Sequence, residues 1–425
     1  MAPPFLGNVD DGSNGQILDP RIADHVPHGY GAESNDGAAH GGPPSSIRPS
    51  ARETHTNACG AREKRDASTI FKCRPRECQP AAITYGLAFR LRRNVSKSRN
   101  RHAENNSPQR ISHWGRVMKA IPVGPTRTPV AEPVSVIGGS GFIGANLRKN
   151  LESAGVRVHS FTRRRPFAQG GRLHRPVLRS STIFYVAGSL TPARAEQAPR
   201  LVAQDYWNLQ LLLWGLRGTA HRPLVVLASS GGTVYDPAAA PPYHEDAPTR
   251  AASAYGAAKL EQEHALATAE WTTPVVLRLA NVYGPGQRAR PGYGVIPHWV
   301  RAVREQETLT MIGQSRRDYV HVNDACAAML AVHRHADRLR AVPGVTTLNI
   351  GSGEPTSLEE LHRHLEHAAG HRLAVRREPA RSFDRTDVWL DVRSAGAVLG
   401  WTSKTGLVEG LMDTLAAVES ARTPS

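Results

Sequence analysis

The sequence contains few cysteines. There are four in 425 residues, and only Cys326 lies beyond residue 117. A disulfide framework is therefore excluded for the larger, C-terminal part of the chain. The remaining three, Cys59, Cys73 and Cys78, have spacings that match no common zinc pattern, so we expect no metal site.

Long apolar runs are absent as well. No run of 18 apolar residues occurs, which predicts that the chain has no transmembrane helix. The N-terminus lacks the apolar core of a signal peptide, so a cytoplasmic location is expected. The apolar stretch Leu209–Leu216 is too short to span a membrane and predicts a core helix.

Lysine is scarce, with 7 among the 53 basic residues, although the net charge is +16. A basic protein can bind nucleic acid or a membrane surface. No basic helix with interleaved aromatic residues and no nucleic-acid motif occurs here. We therefore expect neither of these partners, and we attribute the charge to an arginine-rich composition and an anionic small substrate.

Residues 1–117 differ in composition from the rest of the chain. They are rich in Gly, Pro, Ser, Asn, Arg and His and show no sustained periodicity. Such a composition buries too little apolar surface to fold. Two interpretations remain open: a disordered tail, or a mis-assigned extension of a protein that starts at Met118, 15 residues before Pro133.

From Pro133 onward the pattern alternates between strands and helices, which predicts an α/β fold with a doubly wound parallel Rossmann sheet. We expect a dinucleotide-binding domain over 133–282, with a return near 345–353, and a smaller mixed substrate-binding domain over 283–425. The predicted strands are Val156–Thr162, Thr182–Gly188, Leu224–Ala228 and Val275–Ala280, and the predicted helices include Ala251–Ala269 and Leu407–Val418.

A glycine-rich fingerprint follows the first predicted strand. Gly138, Gly141 and Gly144 lie between an apolar run and a helix that starts with Phe142 and Ile143. In such a motif the first glycine permits a tight turn, the second lets a pyrophosphate approach, and the third allows close helix–strand packing. The free N–H groups of the helix start then face the phosphates.

Tyr255 and Lys259 are four residues apart in a predicted helix, so both lie on one face. A phenol ordinarily ionises near pH 10, and a cation one turn away favours its phenolate. Tyr255 is therefore a candidate proton-transfer group, and Lys259 is the residue that would lower the pKa of its phenol.

These motifs resemble the short-chain dehydrogenase/reductase superfamily. The glycine spacing resembles its extended branch, the NAD-dependent epimerases and dehydratases of nucleotide sugars, including enzymes of the UDP-glucose 4-epimerase type. The resemblance extends over about residues 133 to 415. Further segments that carry it are Val225–Tyr235, Arg278–Gly286, Arg317–Asp324 and Asn349–Gly353.

The resemblance implies roles for particular residues. Tyr255 would take a proton from a sugar hydroxyl, while Lys259 would tune it and bind the nicotinamide ribose. Ala187 and Gly188 would contact the cofactor, and Asn281, Arg317 and Arg381 would hold a substrate diphosphate. Relatives often form homodimers through a four-helix interface that includes the catalytic helix, so we expect a homodimer. Asp318, His298 and His321 are expected to support the fold.

The chain departs from the family pattern at the catalytic hydroxyl. Relatives carry Ser or Thr four residues before the tyrosine of the Val-Tyr pair, and Gly231 stands there. Ser230 is our first candidate for the hydroxyl and Thr233 our second. Relatives that eliminate water carry an acidic residue directly after the hydroxyl, where this chain has glycines, so dehydratase chemistry is not expected.

A second departure follows the second predicted strand. Only 19 residues, 163–181, separate it from the next one, about ten fewer than the family usually has. Its end carries Thr162, Arg163 and Arg164, where an acidic residue would bind the ribose of NAD. Arginine there can pair with the 2′-phosphate of NADP, or it can be a solvated basic loop, and both interpretations stay open.

Three functions remain after these departures. The first is 4-epimerisation of a nucleotide sugar through a transient 4-keto sugar, with NAD as the recycled cofactor. The second is NADP-dependent reduction of a 4-keto sugar or a related carbonyl. The third is a degenerate member of the family that binds a dinucleotide without catalysis.

Overall fold

The structure is a computed structural model that describes residues 133–290, 292, 294–380 and 387–420. Both interpretations of residues 1–117 concern residues outside the described ones. Within the described residues, no helix is long and apolar enough to cross a membrane.

A six-stranded parallel sheet forms the centre of the fold, with the strand order β2-β1-β5-β6-β7-β12. Five of its strands are apolar and largely buried on both faces, as a parallel sheet between helices requires, and one edge strand is only partly buried. The predicted doubly wound Rossmann fold is therefore confirmed. The six strands are β1 (Val134–Ile137), β2 (Val158–Phe161), β5 (Thr182–Tyr185), β6 (Leu224–Ser230), β7 (Thr273–Leu279) and β12 (Thr346–Ile350).

Helices cover the two faces of this sheet, and alternate strand residues point to each. Val226 packs with the helices of one face, and its neighbours Val225 and Leu227 with those of the other. The first face carries α1 (Phe142–Ser153), α7 (Val322–Arg334), α8 (Ala336–Arg340) and α10 (Arg393–Leu399), and the second α2 (Arg175–Leu178), α3 (Pro192–Gln197), α4 (Pro199–Gly215) and α5 (Ala254–Ala267).

The C-terminal half of the chain returns to the sheet over more residues than 345–353. Helix α7 packs against α1, and α10 packs against β12. Their apolar residues belong to the same buried cluster as Val134 and Leu147. The first face of the sheet is thus completed by residues from well beyond position 282.

Some predicted boundaries differ from the structure, and the neighbouring elements explain why. The strand predicted over Thr182–Gly188 ends at Tyr185, where its partner β1 ends at Ile137. The helix predicted over Ala251–Ala269 begins at Ala254, because the Ser253 hydroxyl accepts a hydrogen bond from the Gly256 N–H and caps the helix start.

The short segment 163–181 contains a small hairpin, β3 (Ala168–Gln169) with β4 (Arg172–Leu173), followed by the one-turn helix α2. Leu173 and Val177 from this segment pack into the cluster that also holds Leu209 and Leu212 of α4. Among the described residues, no strand pairs with the outer edge of β2. Within the part of the chain that the structure describes, the outermost strand of the usual order 3-2-1-4-5-6 therefore has no counterpart, and β2 is an edge strand.

The remaining elements form a smaller mixed region with its own apolar cluster, which includes Trp299, Leu361 and Leu411. Helix α9 starts with a capping box, in which Ser357 and Glu360 satisfy each other's backbone N–H groups. The elements of this region are β8 (Asn281–Tyr283), α6 (Val295–Glu305), β9 (Leu309–Ile312), β10 (Arg316–Arg317), β11 (Tyr319–His321), β13 (Thr356–Ser357), α9 (Leu358–Ala369), β14 (Val375–Glu378), β15 (Asp387–Val388) and α11 (Leu407–Ser420).

Candidate active site

The turn between β1 and α1 is built from glycines that leave no room for side chains. Gly138 has φ +99°, and a Cβ there would lie 2.6 Å from the backbone nitrogen of Ala187. A Cβ on Gly144 would collide with the carbonyl oxygen of Gly138. The first and third glycines of the fingerprint thus allow the tight turn and the close helix packing that their spacing predicts.

The start of α1 provides the anion-binding feature of this turn. Gly141 is the N-cap residue, no side chain caps the helix, and no acidic residue lies in its first turn. The backbone N–H groups at Phe142 and Ile143 therefore lie at a positive helix end, where an anion is favoured. The residues present fit a bound dinucleotide pyrophosphate.

The edge of the sheet beside this turn is basic. Thr162 accepts two hydrogen bonds from the N–H of Arg165, one through its carbonyl oxygen at 3.2 Å and one through its hydroxyl at 3.1 Å. The side chains of Arg163 and Arg164 are exposed and contact no described residue through a hydrogen bond or ion pair. Residues 162–165 include no acidic side chain that could bind the ribose of NAD.

The segment after β5 borders a cleft at the carboxyl ends of the strands. Ala187 packs on Gly138, and Gly188 lines the cleft. This is the edge at which doubly wound sheets bind their ligands. The residues that line the cleft are Gly188, Leu190, Asp205, Tyr255, Ala258, Lys259 and Gln262.

Tyr255 and Lys259 lie in this cleft on the same face of α5, as their spacing predicts. The Lys259 Nζ is 5.9 Å from the centre of the Tyr255 ring. It donates hydrogen bonds of 3.1 Å to the carbonyl oxygen of Ala228 in β6 and to Oε1 of Gln262. The ammonium is thus fixed between helix and sheet, and one of its three hydrogens is left for a further partner.

Burial and the negative charges around Lys259 shift its pKa in opposite directions. Burial lowers the pKa of the Lys259 ammonium, while the negative charges of Asp205 and Glu263 favour its charged form. The Asp205 carboxylate accepts hydrogen bonds from the N–H and the hydroxyl of Ser189, at 2.9 and 2.8 Å.

Asp205 was not predicted as a site residue, although the sequence contains a signal for it. It lies on the apolar stripe of α4, in register with the buried Leu209, Leu212 and Leu216. A charged residue on such a stripe needs a partner. Sequence reasoning missed it because the stripe was interpreted only as a core helix.

The hydroxyl candidates lie at the end of β6 and in the turn that follows. Ser230 is the last residue of β6 and is half-buried, and its carbonyl oxygen accepts a 3.3 Å hydrogen bond from the N–H of Thr233. The Thr233 hydroxyl is buried and has no hydrogen-bond partner among the described residues. A Cβ on Gly231 would lie 2.6 Å from a methyl group of Leu390.

A buried ionic network supports the sheet behind the cleft. Arg278 of β7 forms several hydrogen bonds to Glu263 of α5, the shortest 2.8 Å long, and Glu263 also accepts one from the Ser229 hydroxyl. The Arg278 guanidinium stacks 4.9 Å from the centre of the Tyr235 ring. This network fixes α5, and with it Tyr255 and Lys259, against β6 and β7.

Two of the predicted substrate residues lie in β8 and β10, outside the cleft lining. Asn281 donates through its side-chain amide to the carbonyl oxygen of Asp318, at 3.0 Å. Arg317 donates to the carbonyl oxygen of Arg316, at 3.0 Å. Arg381 lies outside the described residues. Neither Asn281 nor Arg317 lines the cleft that holds Tyr255 and Lys259.

Asp318 supports the fold, which confirms the prediction. Its buried carboxylate accepts hydrogen bonds from the backbone N–H groups of Ser352, Gly353 and Leu390. His298 bonds to the carbonyl oxygen of Arg290 at 2.7 Å, and the Nε2 of the buried His321 lies 3.2 Å from Asp413. Neither histidine lines the cleft.

Comparison with known proteins identifies the family. Residues 134–351, just over half of the chain, match the NAD dependent epimerase/dehydratase family. The chain belongs to this family.

Curated relatives within the family differ in activity. The chain is 30% identical over 195 residues to the dTDP-4-dehydro-6-deoxyglucose reductase of Escherichia coli, a match that covers 44% of this chain and 58% of that protein. It is 33% identical over 196 residues to the UDP-glucose 4-epimerase of Mycolicibacterium smegmatis, covering 45% and 61%. These matches thus span about three-fifths of each relative's length.

Solved structures are similar over longer stretches. The UDP-glucose 4-epimerase of Thermotoga maritima, solved with UDP-glucose, has a TM-score of 0.60 and 25% identity and covers 68% of this chain and 99% of its own. The UDP-glucose 4-epimerase of Thermus thermophilus, solved with NAD, has a TM-score of 0.59 and 26% identity, with the same coverage.

Proposed function

We propose that this protein is an NAD-dependent nucleotide-sugar epimerase that inverts C4 through a transient 4-keto sugar. The observation that carries the proposal is the cleft that holds Tyr255 and Lys259 together. Its wall at Gly188 continues into Ala187, which packs on Gly138 of the dinucleotide turn. A proton-transfer pair thus lies next to a phosphate-binding helix start.

The residues of the chain supply binding and proton transfer. Bound NAD would supply hydride chemistry at the sugar carbon. Tyr255 removes the proton from the C4 hydroxyl and returns it in the reverse step. Lys259 stabilises the phenolate by its charge and offers its remaining hydrogen to the cofactor ribose. Ser230 or Thr233 would donate a hydrogen bond to the C4 oxygen.

Substrate binding, in this proposal, rests on cations and amides. A nucleoside diphosphate is recognised by arginines and hydrogen-bond donors. Arg317 and Arg381, with Asn281, are the candidates. That the T. maritima relative was solved with UDP-glucose supports a nucleotide sugar as the substrate.

An NADP-dependent reductase of a 4-keto sugar is the second candidate. The observation that favours it is the exposed pair Arg163 and Arg164 at the end of β2, where no carboxylate is available for the ribose of NAD. The similarity to the E. coli dTDP-4-dehydro-6-deoxyglucose reductase points the same way.

Cofactor identity and turnover, measured on the full chain, distinguish these functions. The purified protein is denatured, the released dinucleotide is assayed, and the native protein is incubated with UDP-glucose. We expect about one NAD per chain and conversion to the C4 epimer without net reduction of added cofactor. Exchangeable NADPH, consumed with a 4-keto sugar, would instead assign the reductase. Dinucleotide binding without either reaction would identify a degenerate member of the family.

We further infer that the protein is a homodimer that associates through α4 and α5. Trp207 and Trp214 are 61% and 65% exposed, and they lie two turns apart on α4, which packs beside α5. Large exposed aromatic residues on one helix face are typical of an interface. Light scattering should give a dimer for the native chain and a monomer for Trp207→Arg/Trp214→Arg. Met412→Arg, at an exposed position on α11, is the control and should leave the dimer intact.

A further inference from the structure

Helix α4 carries a carboxylate where its apolar stripe would continue. Asp205 is only 8% exposed, while Leu209, Leu212 and Leu216 of the same stripe are fully buried. Burying an ionised carboxylate is unfavourable unless other groups compensate its charge. The neighbours of Asp205 therefore show what it does.

Ser189 satisfies the hydrogen bonds of Asp205 but not its charge. The Ser189 N–H donates to Oδ2 and its hydroxyl to Oδ1. These donors are neutral, and no cation lies within 4.0 Å of the carboxylate in the described part of the chain. Ser189 follows Gly188 and precedes Leu190, and both of these line the cleft. Asp205 thus holds one wall of the cleft against α4.

Lys259 is the cation that shares the cleft with Asp205. Its other charged neighbour is Glu263, but Glu263 is bound by Arg278 through several hydrogen bonds. Tyr255 faces Lys259 from the same helix, and the β6 side contributes the neutral carbonyl group of Ala228. Of the two carboxylates near Lys259, Glu263 is therefore paired with an arginine, whereas Asp205 forms no ion pair within the described residues.

We propose that Asp205 is a positioning residue that keeps the Lys259 ammonium charged inside the cleft and anchors segment 188–190 beside it. The proposal rests on the proposed function only in the catalytic use of Lys259. The electrostatic relationship between the two residues exists whether or not the protein turns over a sugar.

The electrostatic effect has a defined direction. Burial lowers the pKa of Lys259, and Asp205 opposes this across the cleft. Without the carboxylate, Lys259 loses its proton at a lower pH. The phenolate of Tyr255 then loses its counter-charge, and its formation becomes less favourable.

The test observes Lys259 directly. The chain has seven lysines, so labelling them with ¹³C at the ε-carbon gives few NMR signals, and Lys259→Arg assigns the one of interest. The ε-carbon signal is followed against pH in the native chain and in Asp205→Asn, which keeps the size of the side chain. Asp337→Asn, an exposed carboxylate paired with Arg340, is the matched control.

We expect the Lys259 titration to move to lower pH in Asp205→Asn, and to stay in place in Asp337→Asn and in the charge-preserving Asp205→Glu. The alkaline decline of turnover should begin at lower pH in Asp205→Asn than in the native chain. An unchanged Lys259 titration in folded Asp205→Asn would overturn the proposal.

If Asp205→Asn does not fold, Asp205→Ser removes the same charge with a smaller side chain and gives the same readout. Because the titration requires no activity, its result is independent of the proposed function.

Discussion

The side chain of Leu390 fills the space in which a side chain at Gly231 would begin. Its two methyl groups lie 2.6 and 2.9 Å from the position that a Cβ on Gly231 would take. The resemblance to the family implies a catalytic hydroxyl at this position of the strand end. The glycine is thus matched to a leucine 159 residues further along the chain.

Restoring a hydroxyl at this position should therefore destabilise the protein. Gly231→Ser forces Leu390 to move, and overpacking of this kind costs about 1–3 kcal/mol. Urea unfolding measures the loss. The matched control is Gly232→Ser, because the nearest atom to a Cβ there is 4.0 Å away. Adding Leu390→Ala to Gly231→Ser should recover part of the stability that the serine removes; equal losses in the two serine variants would contradict the packing argument.

Tyr255→Phe should abolish most turnover while leaving the cofactor bound. The phenol is the proton-transfer group of the proposed reaction, and such groups contribute about 10²–10⁴-fold to the rate. Steady-state kinetics and a cofactor titration give the two readouts. Tyr206→Phe on α4, which removes only a hydrogen bond from Gln210, should retain full activity. Normal turnover in Tyr255→Phe would show that another group moves the proton.

Activity should fall at alkaline pH because Lys259 loses its charge. Burial lowers the pKa of its ammonium, and the charged form is the one present below that pKa. Turnover should therefore decline as the pH rises through it. In Lys259→Arg the side chain stays charged throughout, so the alkaline decline should disappear even where the maximal rate is lower. Profiles of kcat/KM from about pH 6 to about pH 10 make the comparison; an identical alkaline decline in both proteins would assign it to another group.

Gly141→Val should weaken dinucleotide binding without unfolding the chain. The Cβ of residue 141 would lie 3.2 Å from the carbonyl oxygen of Gly138, and the branched side chain would extend over the helix start. It would occupy the space that the pyrophosphate needs. Isothermal titration with NAD measures the loss. Gly218→Val, where no atom lies within 4 Å of the added Cβ, is the control and should bind normally.

Glu263→Gln should be among the most destabilising single changes in the sheet region. It removes the partner of Arg278, whose charge is then buried without compensation, and such changes cost about 3–5 kcal/mol. Thermal or urea unfolding tests this. Glu152→Gln breaks the exposed pair with Arg148 instead and should leave stability unchanged within error. A similar small effect of both changes would mean that water reaches the buried pair.

Local patterns in the sequence predicted the parts of the site that depend on local structure. The turn at Gly138 and the shared face of Tyr255 and Lys259 follow from a strand, a glycine motif and a helical spacing, which short stretches encode. The match between Gly231 and Leu390 could not be predicted in this way, because it depends on how distant segments pack. The role of Asp205 lies between the two cases. Its position on the apolar stripe of α4 is a local signal, but its nearness to Lys259 depends on how α4 packs against α5.

No strand of the described ranges pairs with the outer edge of β2, which has a consequence for how copies of this protein behave in solution. An unpaired strand edge is a template for adding a strand from another molecule, and long, flat, apolar edges promote aggregation. This one is only four residues long, contains His159 and Ser160, and is followed by three consecutive arginines. A short polar edge beside a cluster of like charges repels its own copies. We therefore expect the arginines at the end of β2 to protect solubility, so neutralising them should promote self-association.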